Sequence, residues 1–172
     1  AYLQLAAHTF AQIPEVAPDS ARFHQILADS SARQGHYREA IEQYRRALEK
    51  RPDLAGVHYQ IGALYRVYDQ SPSGEQAAIR EFQDELKIDP YDAWSEYRLG
   101  LIYSKRPDTS EADSHFRRAV QLDGSLVPAR LALAALLEKQ GKQEEAEREL
   151  DIAEKLEPAN ATTHYRLAQL YK

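Results

Sequence analysis

The chain predicts an all-α fold made of one helical unit repeated in tandem, and three observations carry that prediction. The phrase HYQIGALY, His58–Tyr65, returns as EYRLGLIY at Glu96–Tyr103 and as HYRLAQLY at His164–Tyr171. The offsets are 38 and 68 residues, the second being twice 34. Apolar residues also fall at helical intervals, as in AIEQYRRALEK, where Ile41, Tyr44, Ala47 and Leu48 share one helical face. No segment alternates apolar and polar residues long enough to predict a strand.

Taken in order, residues 1–20 read as the second helix of a preceding partial repeat, from Ala6, Phe10 and Pro18, with Pro14 ending it early. Residues 21–54 form repeat 1, marked by Leu27-Ala28, Ala40, Tyr44, Ala47 and Pro52. Repeat 2, residues 55–92, carries Ile61-Gly62, Tyr65, Ala78, Phe82 and Pro90. It has a four-residue insertion around DQSPSGEQ, expected to lengthen its first helix or to protrude as a loop. Repeat 3, residues 93–126, has Leu99-Gly100, Tyr103, Ala112, Phe116 and Ala119, with Gly124 where a proline would fall. Repeat 4, residues 127–160, has Leu133-Ala134, Leu137, Ala146, Leu150, Ala153 and Pro158. Residues 161–172 are the first helix of a fifth, truncated repeat. Turn signals such as QGHY, KRPD and QGK separate the helices. Gly62, Gly100 and the alanines are small enough to let paired helices approach closely. No polar capping helix follows, so the protein is expected to continue at both ends.

Composition narrows the function. The 172 residues are 43% hydrophobic and 28% charged, without cysteine or methionine. Disulfides and cysteine-based zinc or redox sites are thereby excluded. A formal charge of −5 argues against nucleic acid as the main partner. The longest apolar-leaning run, LVPARLALAALL, carries an arginine and falls short of the ~20 residues a membrane span needs. The chain is therefore expected to be soluble, with the cytoplasm and the periplasm both open. No nucleophile elbow, phosphate-cradling glycine loop or dinucleotide fingerprint is present, so neither enzyme activity nor a cofactor is predicted. Carboxylates interleave with Lys and Arg at helical spacing, as on a solvated helix face. His24, His58 and His164 stand a full repeat or more apart, too far to share one metal ion, and are assigned to packing.

The recurring anchors resemble the tetratricopeptide repeat, a 34-residue W-x2-L-G-x2-Y…A-x3-F…P unit, over nearly the whole chain. That resemblance implies a right-handed α-solenoid of antiparallel helix pairs, with the first (A) helices lining a concave surface that takes peptides. The groove residues it selects are Arg33, Tyr59, Gln60, Arg66, Trp94, Tyr97, Arg98, Lys105, Tyr165 and Arg166. Pro128, Leu131, Ala132, Ala135, Glu138 and Lys139 fall on the same face in repeat 4. Eight basic residues (Arg22, Arg33, Arg66, Arg98, Lys105, Lys139, Arg166, Lys172) face two acidic ones (Asp29, Glu138) there. Tyrosine supplies flat apolar area with a polar tip, and arginine grips carboxylates, so the expected partner is a protein or peptide with acidic and aromatic or apolar residues.

The clamp that holds chaperone tails in this family is not expected. From repeat 1 its slots hold Gln25, Asp29, Gln60, Trp94 and Arg98, and only the last fits. Two alternatives to groove binding stay open: self-association through the truncated ends, and service as a docking arm of a larger enzyme.

Overall fold

The computed structural model describes residues 19–170. Among them nine α-helices follow one another and no strand occurs. They are α1 (Ala21–Arg33), α2 (Tyr37–Lys50), α3 (Val57–Tyr68), α4 (Pro72–Ile88), α5 (Ala93–Tyr103), α6 (Ser110–Leu122), α7 (Val127–Lys139), α8 (Gln143–Leu156) and α9 (Ala161–Leu170). The fold is an all-α solenoid of helix pairs, with α1 packed on α2, α5 on α6 and α7 on α8. The partial repeat read over residues 1–20 falls almost entirely outside the described residues.

Local chemistry explains where these helices start and stop. Ser20 opens α1 by accepting the N–H of Phe23. Asp92 opens α5 by accepting those of Trp94 and Ser95, and Asn160 takes the N–H groups of Thr162 and Thr163 at the head of α9. Each cap satisfies amides that the first turn leaves without an internal partner. Helices α1 and α7 end alike. The N–H of His36 donates to Ser31 and that of Lys142 to Leu137, both at 2.9 Å, across Gly35 (φ +79°) and Gly141 (φ +74°). This left-handed stop strains any residue with a Cβ.

The described residues form two compact units, one ending at Glu81 and the other beginning at Phe82. In the first, Ala28, Ile41, Tyr44, Val57 and Ile61 make the core, with Leu48, Leu54, Leu64 and Tyr65 packed against it. In the second, Ala93, Ala119, Leu126 and Ala129 cluster with Tyr97, Val120 and Leu122. Gly100 marks a close crossing there. A Cβ on it would lie 2.5 Å from Cδ1 of Phe116, so α5 and α6 come this close only over a bare backbone.

The four extra residues of the second repeat neither lengthen its first helix nor protrude. They extend its second helix, α4, to 17 residues, against 13 or 14 in α2, α6 and α8. The cause is local. Pro72 stands at the first helical position, where its missing N–H costs nothing, and Ser71 Oγ accepts the N–H of Gly74 at 3.2 Å. Gly74 lets this turn rest on Asp69, whose carbonyl oxygen would lie 2.1 Å from an added Cβ.

A polar pair fastens first helix to second at the same register four times. His24 Nδ1 meets Gln43 Oε1 at 2.8 Å, and His58 Nδ1 meets Glu81 Oε2 at 2.7 Å. His115 Nδ1 meets Glu96 Oε2 at 2.6 Å, and Arg130 Nη1 donates to Glu149 Oε2 at 2.5 Å. Each partner on the second helix comes immediately before the large core residue of that helix: Tyr44, Phe82, Phe116 or Leu150. His24 and His58 thus hold helix pairs together as well as packing between them. His164, half exposed, donates instead to the carbonyl of Pro158 at 2.7 Å.

Candidate functional site

The second unit carries an open cavity of about 470 Å³ on its first-helix side. Tyr97, Leu101 and Ser104 of α5 and its end form one wall. Pro128, Leu131, Ala132, Ala135 and Lys139 of α7 form the middle, and Thr162 and Arg166 of α9 the far wall. Spacings of three and four residues bring these side chains to one helical face. The surface is therefore apolar in the centre, with charge at its margin.

Tyr97 links the wall to the core. Its ring lies 6.2 Å from that of the buried Phe116 and meets Trp94 edge to face at 5.9 Å. The Arg98 guanidinium stands 5.8 Å from the Tyr97 ring centroid. Arg166 donates to Glu138 Oε2 at 2.9 Å. Arg166 Nε and Glu138 Oε1 are buried without a hydrogen-bond partner.

Of the predicted residues in this unit, Tyr97 and Arg166 line the cavity, while Trp94 and Arg98 do not and stand against the Tyr97 ring. Lys105, beyond the end of α5, is exposed and does not line it. Tyr165 is 65% exposed, away from the cavity, and its hydroxyl accepts from Gln169 at 2.7 Å. It lies about 100° around α9 from Arg166, which accounts for the difference.

In the first unit Arg33 is exposed in the last turn of α1, Tyr59 half-buried and Gln60 exposed on α3. Arg66 is turned to its own repeat, 3.4 Å from Glu75 Oε2 at the head of α4. The basic surplus read from the sequence is reduced by that pairing, because Glu75 lies on a second helix that the first-helix count omits. Tyr44 donates its hydroxyl to Asp29, and burial followed by this carboxylate pushes the phenol well above its usual range.

Sequence reasoning placed Leu131, Ala135 and Lys139 on the right face without choosing them as site residues. It missed Phe116, Glu157 and Asn160, which also border the cavity. Phe116 belongs to a second helix, and the other two to the turn before α9. Asn160 had a signal, since an N-cap fixes where a helix begins. Among the described residues no group of His, Asp and Glu could hold a metal ion, and no helix is long and apolar enough to cross a membrane.

Comparison with known proteins fits this geometry. A family model described as "TPR repeat" matches residues 28–66, and one described as "Tetratricopeptide repeat" matches residues 127–170. Tetratricopeptide repeat protein 37 of Xenopus laevis is 29% identical over 59% of this chain and 7% of its own length. Anaphase-promoting complex subunit 3 of Schizosaccharomyces pombe is 28% identical over 63% of the chain and 16% of its own length. Photosystem I assembly protein Ycf3 of Cyanophora paradoxa is 27% identical over 63% of the chain and 62% of its own length. The chain thus spans less than two thirds of each of these relatives. Among solved structures, MamA superposes with a TM-score of 0.74 at 17% identity, over 88% of this chain and 80% of that one. YrrB, described as a TPR protein with an unusual peptide-binding site, gives 0.71 at 22%, over 95% and 81%.

Proposed function

The chain belongs to the tetratricopeptide repeat family, and from that premise we propose that it is a non-catalytic scaffold that binds a protein or peptide along its first-helix face. One observation carries the reading: the cavity on α5, α7 and α9 combines an apolar centre with Tyr97, Lys139 and Arg166 at its edges. Such a surface fits a segment that buries an apolar or aromatic side chain over Leu131 and sets a carboxylate toward Lys139 and Arg166. YrrB's peptide-binding site, and relatives named as a complex subunit and as an assembly protein, support an interaction role.

The test is peptide selection from a random library on the whole chain, repeated with Leu131→Lys. Leu131 is only part-buried, so the variant folds while a charged chain fills the cavity. Selected peptides should be rich in acidic and apolar residues and lose about tenfold or more in affinity on the variant. Equal capture by both proteins overturns the reading. Self-association is the second reading, favoured by the exposed Tyr165 on α9. A sedimentation coefficient that rises with concentration, and stops rising in Tyr165→Lys, would support it.

A further inference from the structure

On the first unit, α2 and the end of α3 enclose a second cavity of about 330 Å³, lined by Arg38, Ile41, Glu42, Arg45, Tyr65 and Tyr68. Helical phase puts Tyr65 and Tyr68 on the side of α3 opposite Tyr59 and Ala63, away from the predicted groove. Arg38 Nε donates to the Tyr68 hydroxyl at 2.9 Å, and Arg45 Nη2 to that of Tyr65 at 2.7 Å. The two guanidinium carbons stand 5.6 and 6.0 Å from the ring centroids they face. A phenol oxygen that accepts from a guanidinium keeps its own O–H as a donor. All four side chains therefore present hydrogen-bond donors to one space, and the two arginines add positive charge.

The carboxylates nearby are already engaged. Glu42, within the lining, is held by Arg46 at 2.9 Å. Glu81 is 3.9 Å from Arg45 but bound at 2.7 Å by His58. Among the described residues Arg38 has no carboxylate partner, its guanidinium being oriented by Tyr68 alone.

We propose that this cradle is a docking site for an acidic segment of a partner protein that brings two carboxylates, one to each arginine. Arg38 and Arg45 are seven residues apart on one helix, about 10 Å along its axis. They bracket the cavity rather than converge on one point, which favours two separated carboxylates over a single phosphate. Ile41, almost midway and buried, offers an apolar floor for the residue between them. The site is distinct from the cavity of α5, α7 and α9 and does not depend on that one being occupied.

The experiment uses the 172-residue chain and a fluorescein-labelled peptide with two glutamates flanking a leucine. Controls are the same peptide with glutamines, and one with a single phosphoserine and no glutamate. Anisotropy should show binding of the glutamate peptide that weakens as salt is raised. Arg38→Ala with Arg45→Ala should lose about tenfold or more, since two charge-assisted hydrogen-bonded pairs go. The parent and all of these variants are made in a Leu131→Lys background, which removes the other cavity's own affinity for acidic and apolar peptides, and there Tyr65→Phe with Tyr68→Phe should lose less. Both arginines are exposed, so unchanged helix content by circular dichroism separates lost binding from misfolding. The proposal is overturned if the glutamine peptide binds equally, if the double alanine variant binds as well as the parent, or if the parent does not bind. Tighter binding of the single phosphoserine overturns the two-carboxylate reading.

Discussion

At Gly100 one hydrogen atom decides how close two helices come. The Phe116 ring fills the space a methyl group would need, and the ring is itself buried and cannot swing aside. Gly100→Ala should therefore lower stability by about 1–3 kcal/mol in spite of alanine's better helix propensity, which works in the opposite direction by ~1 kcal/mol. Urea unfolding monitored by helix signal checks the sign; a variant more stable than the parent would show that α5 and α6 separate freely. Here the sequence was a good guide, because a small residue recurring beside an aromatic anchor has few physical reasons other than close approach. Arg66 was a poorer case. Its place on α3 followed from periodicity, but its pairing with Glu75 depends on where α4 begins, which the repeat pattern does not encode.

Individual helices show the same division. Nearly every helix was legible from apolar spacing, since burying one face is what a repeat of this size needs. The extra turn of α4 was not, because Pro72 and Gly74 read as loop residues although each suits a first turn. The polar fasteners were hidden for a different reason: Glu96–His115 reverses the order of His58–Glu81, so no fixed residue type marks either position. Geometry is kept while identity changes sides. Replacing Glu96 by His, or His115 by Glu, should each destabilise the α5–α6 pair by about 1–3 kcal/mol by setting like groups together. Making both changes should restore most of the loss. Thermal melting of the four proteins forms a double-mutant cycle, and additive losses would mean that the pair contributes no coupling.

Across the molecule, charge sets a common acid limit. Lys50 and then His24 hold the Asp19 carboxyl below its usual value, and Arg117 does the same for Glu145. Hydrogen bonds from Ser71, Ser110 and Ser125 lower Asp69, Asp108 and Asp123. Each of these groups binds its proton more weakly folded than unfolded. Their stabilisation is therefore complete above the ordinary values of 3.8 for Asp and 4.5 for Glu, and it fades as pH falls through the lower folded values. Helix content should hold from pH 7 to about 5 and decline below ~4. A decline that began near neutrality would place the sensitive groups elsewhere.

The four polar fasteners between first and second helix, finally, each begin and end inside a single helix pair. A duplicated or deleted stretch of gene covering one pair would bring or remove both halves of its fastening together, leaving only links between pairs, such as Arg117–Glu145 and Arg166–Glu138, to be remade. An array held in this way can change length by recombination without first acquiring compensating mutations inside any pair.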